Sequence, residues 1–185
     1  AGQDLELYHN GSASYVDNNT SHLYIRNNVD DDDGGNIYIQ AKSGEDGIVV
    51  NDDGAVQLYN DNSLKAATSS TGFSVTGTVL ATTDTDTSNT GTVTLDFQAN
   101  QNFILTLTGN VTLANPSTEQ TGQSGFIVFI QDGTGSRTVS LGTDYETAGG
   151  AGLTLSTAAS SVDIVPYVVQ SAGNILLGTP QLAFS

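Results

Sequence analysis

Four short aromatic phrases recur in the first third of the chain and constrain it most: Leu7-Tyr8-His9-Asn10-Gly11, Leu23-Tyr24-Ile25-Arg26-Asn27, Ile37-Tyr38-Ile39-Gln40 and Leu58-Tyr59-Asn60-Asp61. Each reads as a short aliphatic-aromatic strand beside a cluster of Asn, Asp, Ser or Gly. A chain that repeats strand and turn with no helix between them builds an extended β architecture. Strands this short bury little apolar surface within one chain. Wrapping several copies around a common axis would supply the missing core and protect the strand edges.

The same texture runs from residue 1 to about residue 81. Strands are predicted at Asp4–His9, Ser14–Val16, His22–Arg26, Asn36–Ala41, Gly47–Val50, Ala55–Tyr59 and Gly72–Val79. Turn signals fall between them at Asn10-Gly11, Asn18-Asn19, Asp33-Gly34-Gly35, Glu45-Asp46-Gly47 and Asp52-Asp53-Gly54. A Thr/Asp-rich stretch, residues 82–91, follows and reads as an extended linker. Residues 92–185 carry longer, more apolar strands: Thr92–Phe97, Asn102–Thr108, Asn110–Leu113, Gly125–Gln131, Arg137–Leu141, Ser161–Gln170 and Asn174–Gly178. Asp132-Gly133-Thr134-Gly135-Ser136 reads as a hairpin loop between two of them. Phe126, Val128 and Ile130 share one face of their strand while Ile127 and Phe129 share the other, which places that strand in a sandwich centre or at an interface.

Charge excludes several classes of function. The net charge is −16, from 20 acidic residues against 4 basic ones, Arg26, Lys42, Lys65 and Arg137, which are scattered. No basic stripe exists to neutralise phosphates, so nucleic-acid binding is not expected, nor attraction to an anionic membrane. No apolar run is long enough to cross a bilayer as a helix. Ser and Thr make up roughly a quarter of the chain, above a globular background, and suit exposed strand faces better than one thick core. There is no Cys, hence no disulfide framework and no thiolate metal site. There is also no Met, which favours a segment of a longer protein.

The candidate sites are few. The run Asp30-Asp31-Asp32-Asp33-Gly34-Gly35 offers Asp30, Asp32 and Asp33 as calcium ligands on a flexible loop. Its spacing is not that of an EF-hand, because Ala41 stands where the bidentate Glu belongs, and a solvated acidic turn accounts for the same residues. No other cofactor is expected. Catalytic residues are not expected either: the carboxylates lie mostly at turns, His9 and His22 sit at strand ends, and Gly122-Gln123-Ser124-Gly125 lacks the glycine spacing of a nucleophile elbow. The tyrosines read mainly as scaffold, since Tyr packs well against cross-strand neighbours. Recognition is expected instead on loops of the second half, at Asp132, Thr134 and Ser136 and at Asp144 and Tyr145.

The run Asp4-Leu5-Glu6-Leu7-Tyr8-His9-Asn10-Gly11-Ser12-Ala13-Ser14-Tyr15-Val16, continued by Leu23-Tyr24-Ile25-Arg26, resembles structural proteins of marine tailed bacteriophages. So does Ala66-Ala67-Thr68-Ser69-Ser70-Thr71-Gly72-Phe73-Ser74-Val75-Thr76-Gly77-Thr78-Val79. The segments Asn102–Leu113, Gly122–Gly125 and Gln131–Val139 are similar to terminal domains of tail-fibre-like proteins. The resemblance implies a homotrimer, contact with other virion proteins and with a host-surface glycan or protein at a distal tip, and no obligatory chemistry. Together with the strand pattern it gives an all-β expectation. Residues 1–81 would form a β-prism or intertwined trimeric β-stalk, and residues 92–185 a jelly-roll-like β-sandwich. The function expected is that of a tail-fibre distal part, the alternatives being a capsid decoration or head-fibre protein and a polysaccharide-degrading tailspike.

Overall fold

The computed structural model describes residues 5–27 and 35–184. The chain divides into two compact units, Ala1–Val79 and Leu80–Ser185. Among the described residues every regular element is a strand except a single 3-10 turn at Ala148–Gly150. The all-β expectation holds, and in the second unit the strand pairing differs from the expected one.

In the first unit, β1 (Leu5–His9) and β2 (Ser14–Asn18) form an antiparallel hairpin with Leu7 opposite Val16 and Tyr8 opposite Tyr15. Its turn is held by Asn10, whose Oδ1 accepts the backbone N–H groups of Ser12 and Ala13 at 3.0 and 2.9 Å. The predicted strand at His22–Arg26 does not form. Asn18 donates to the carbonyls of Thr20 and Ser21, and Ser21 has φ 42°, so the backbone leaves the extended region before the apolar run begins.

Five further strands make an antiparallel meander in chain order: β3 (Ile37–Lys42), β4 (Glu45–Val50), β5 (Val56–Asn60), β6 (Ser63–Ser69) and β7 (Gly72–Val75). The predicted turn at Glu45-Asp46-Gly47 lies inside β4, and the chain reverses one step earlier, at Ser43-Gly44. Strand β6 is absent from the sequence reading. It is joined to β5 by Asp61 and Asn62, both with positive φ (50° and 55°), a two-residue link whose twist suits a hairpin.

Directly paired residues point to one side of a sheet. The register therefore gathers Ile37, Ile39, Ile48, Val50, Val56, Leu58, Ala66, Thr68, Phe73 and Val75 on a single face. The opposite face carries Tyr38, Val49, Gln57, Ala67 and Ser74. Among the described residues of this unit, only Val49 (3% exposed) and Ala66 are buried hydrophobic residues.

The second unit is one eight-stranded mixed sheet. The Thr/Asp-rich stretch expected as a linker is strand β8 (Thr83–Val93), parallel to β9 (Asn102–Leu113). The two strands predicted at Asn102–Thr108 and Asn110–Leu113 are a single strand running through Gly109. Only glycine fits there, because a Cβ would run into Thr90 of the adjoining bulged β8. Strand β10 (Ser124–Gln131) runs parallel to β9 beside Phe103–Leu107, and β11 (Val139–Leu141) runs parallel to it beside Val111–Leu113. Residues 132–138 are thus not a hairpin turn. They are an excursion between two strands that both line β9. Strand β12 (Tyr145–Thr147) is parallel to β14 (Asn174–Leu177). Strand β13 (Val162–Ser171) is antiparallel to β10, β14 and β15 (Gln181–Phe184). A jelly roll is built of antiparallel strands, so this pairing replaces the expected two-sheet sandwich.

Parallel neighbours need a crossover, usually a helix. Here the crossovers are extended. Residues 94–101 carry Leu95 and Phe97 into the core, where Phe97 meets Phe103 (ring centroids 5.0 Å apart) and Tyr167 (5.3 Å). Buried backbone groups without a helix need other partners. Thr118 Oγ1 accepts the Phe97 N–H at 3.0 Å, and Gln123 donates to the carbonyls of Phe97 and Asn100, each at 3.0 Å. One face of the sheet supplies the rest of the core: Phe103, Leu105, Leu107, Val111 and Leu113, Ile127 and Phe129, Val139, Tyr145, Val165, Tyr167 and Val169, Ile175 and Leu177. Buried Asp163 is satisfied by the Ser156 N–H and hydroxyl (2.7 Å each) and the Ala183 N–H (2.9 Å), which pins residue 156 and β15 to β13.

Truncating Phe97 removes the ring that closes this face. Phe97→Ala should cost about 3–5 kcal/mol of second-unit stability. Urea unfolding of the variant checks this value.

Candidate functional site

The expected recognition residues fall in two places. Asp132, Thr134 and Ser136 lie on the excursion between β10 and β11. The Asp132 carboxylate accepts the Thr134 and Gly135 N–H groups, each at 2.9 Å, and pairs with Arg137 through Nη2 at 2.8 Å and Nε at 3.2 Å. Gly135 has φ 76°, and a Cβ there would strike the Thr157 carbonyl, so the loop closes against residues 157–159 only with glycine at that position. The Ser136 N–H donates to the Thr157 carbonyl at 2.9 Å. Asp132 therefore acts as the internal anchor of a rigid loop. The hydrogen bond from Arg137 lowers its pKa to about 2, helped by the Gly135 and Thr134 amides and opposed by partial desolvation.

Asp144 and Tyr145 stand at the start of β12. Tyr145 is 5% exposed and belongs to the core cluster, so it offers no ring to an external ligand. Its expected place on a recognition loop is corrected by its strand: its Cα partner is Ile175 of β14, on the buried face. Burial raises its phenol pKa, and the charges of Glu119 and Asp144 raise it further. A cleft of about 580 Å³ lies nearby, lined by Ser140, Tyr145, Glu146, Thr147, Gly152 and Leu153 among others. Glu146 is its one carboxylate, so it lacks the facing pair that glycoside hydrolysis requires.

The calcium candidates Asp30, Asp32 and Asp33 lie outside the described residues. Among the described residues no three His, Cys, Asp or Glu side chains gather as a metal cluster. His9 Nδ1 lies 3.3 Å from Ser14 Oγ at the exposed hairpin end, while Asp17 is engaged by the Tyr8 hydroxyl. Tyr8 and Tyr15 stack at 4.8 Å with both hydroxyls bonded within the hairpin, as scaffold tyrosines do.

The largest unanswered feature of the first unit is its apolar sheet face. Phe73 is 62% exposed, Ile39 57% and Leu58 41%. The alternation that builds this face is visible in the phrase Ile37-Tyr38-Ile39. The signal was present as the same period of two in Ile48/Val50, Val56/Leu58 and Phe73/Val75.

Residues 90–174 match the family model of a putative phage tail fibre C-terminal domain. The match lies wholly in the second unit, from within β8 to the start of β14, and supports a structural protein of the phage tail-fibre type. No curated protein matches the chain, and no solved structure does. Nothing in the fold or the match favours attachment to the capsid exterior.

Replacing Arg137 by Leu should move the Asp132 titration up from about 2 toward the ordinary 3.8. Because the folded value is depressed, the stabilisation from this pair is present above the unfolded pKa and is lost as pH falls through about 2. Carboxyl-carbon NMR titration of both proteins reads the shift.

Proposed function

We propose that the chain is part of a phage tail fibre that works as a homotrimer, displays its second unit toward the host surface, and holds that surface by multivalent contact. The observation that carries the assembly is the apolar face of the β3–β7 sheet. It spans five strands and, among the residues placed on it by register, bears no charged side chain. A monomer would leave it in water, at about 25 cal/mol for each Å² of apolar surface left uncovered. Copies of the same chain are the fitting cover. An uncharged face is the one surface on which chains of net charge −16 meet without repulsion.

The second unit repeats the pattern more weakly. The sheet face turned away from its core carries Ile104, Phe126, Val128, Ile164, Pro166 and Val168, and Phe126 is half exposed. The number three follows from the tail-fibre resemblance, since three copies around one axis shield the edge strands β3 and β7 as well as the faces. Binding would then rest on avidity, in which several weak contacts on one rigid assembly add without a deep pocket in any copy.

Light scattering after size exclusion should give three times the 19.1 kDa chain mass at micromolar concentration. Introducing charge on the face, Leu58→Asp with Phe73→Asp, should raise the concentration needed for assembly by ~100-fold or more. A wild-type chain that stays monomeric and folded at micromolar concentration would refute the assembly.

A further inference from the structure

The strap that follows β12, residues 148–152 (Ala-Gly-Gly-Ala-Gly), borders two cavities. One is the cleft of about 580 Å³ lined by β11 and β12, to which Gly150, Gly152 and Leu153 contribute. The other is a void of about 160 Å³ between Ala148, Ala151, Gly152 and Leu153 and the link Leu177–Pro180 that leads into β15. Gly152 and Leu153 wall both. The strap itself is exposed throughout. Gly149, Gly150 and Gly152 have positive φ (68°, 67° and 73°), and a Cβ at any of them would meet nothing within 4 Å beyond its chain neighbours. The strap is held at its ends instead. At one end the Thr147 hydroxyl accepts the Gly152 N–H at 2.9 Å. At the other, Leu153 and Leu155 lean on the core, and Ser156 is bound by Asp163, its N–H to Oδ2 and its hydroxyl to Oδ1, each at 2.7 Å. Thr157 is held separately, its carbonyl accepting the Ser136 N–H at 2.9 Å. The Ala183 N–H of β15 donates to the same Asp163 Oδ1 at 2.9 Å, so the tether of the strap and the tether of β15 meet on one oxygen.

We propose that residues 148–152 are a lid on the cleft and that β15 sets the position of the lid through Asp163. Movement into the void widens the cleft, and movement away from it narrows the cleft. Glycine backbone turns either way at little steric cost. The coupling to β15 is carried by a buried charge. Asp163 is 1% exposed, and Arg137, the one basic residue between residue 80 and residue 185, is committed to Asp132. A buried carboxylate without a counter-charge depends on its hydrogen-bond donors. When the Ala183 N–H leaves, Oδ1 loses a donor, the charge is less well satisfied, and Ser156 is held less firmly. Such coupling is reciprocal, so a loosened strap also frees β15. The strand is suited to be the controlling end. It has four residues, all exposed, and Ala183 sits at φ 60°, a left-handed conformation that is unfavourable for alanine. A contact that takes hold of the exposed side chains of Leu182 and Phe184 therefore acts on the cleft. The device lies within one copy and does not rest on the trimer.

Hydrogen–deuterium exchange of the full chain and of a chain ending at Pro180 tests the coupling. Loss of β15 should speed amide exchange at residues 153–156 about tenfold, while residues 157–160 and β10 keep their wild-type rates. Leu153→Cys supplies the one thiol of a chain that has no Cys, and its labelling by a maleimide should quicken by a similar factor when β15 is removed. Ala183→Gly keeps the N–H and relieves the backbone, so it should slow exchange at residues 153–156 about threefold. That variant decides the question if the shortened chain does not fold. Unchanged exchange at residues 153–156 in the shortened chain would overturn the coupling. So would an acceleration spread equally over β9 and β10, which would make β15 a part of general stability. Slower exchange confined to β15 in Ala183→Gly would overturn it as well. Unchanged labelling of Leu153→Cys would overturn the lid.

Discussion

A single-layer sheet has two faces, and something must cover each apolar one. That constraint governs both units, and they meet it differently. The β3–β7 meander alternates so cleanly that its apolar residues collect on one side, yet the described residues supply no second layer for them. Val49 is buried on the opposite, more polar face, where Asn51 and Tyr59 both bond to Gln57 across it. The unit is therefore complete on its polar side and unfinished on its apolar one. In the proposed assembly, cover from other copies would turn this deficit into a rule of assembly.

The second unit covers its own core. Extended crossovers rather than helices close the buried face, and they do so because Thr118 and Gln123 satisfy backbone groups that a helix would have satisfied internally. Asp163 does the same for residue 156 and β15. The result is a rigid body whose loops are tied back: Asp132 and Arg137 lock one, and Asn115 locks another. Rigid loops suit a surface used in several copies at once, since little ordering entropy is lost at each contact.

Much of the β content was legible in residues. Asn10-Gly11 marked its hairpin, and the phrases Leu7-Tyr8-His9 and Ile37-Tyr38-Ile39 marked strands that do form. What failed was pairing. Thr83–Val93 looks like a linker because its side chains are polar, but as an edge partner of β9 it needs only backbone hydrogen bonds. Gln131 and Arg137 look like the two sides of a hairpin because five turn-forming residues separate them. A parallel strand that leaves β9 and returns to it produces the same local pattern. His22–Arg26 has strand-forming residues and no strand, because Asn18 and Ser21 bend the chain ahead of it.

The central claim is that the β3–β7 face is buried between copies of the chain. Hydroxyl-radical footprinting read by mass spectrometry compares its two faces directly in the native assembly. The account predicts that Ile39, Leu58 and Phe73 are strongly protected while Tyr38, on the opposite face, is oxidised freely. Equal oxidation of the two faces would contradict it.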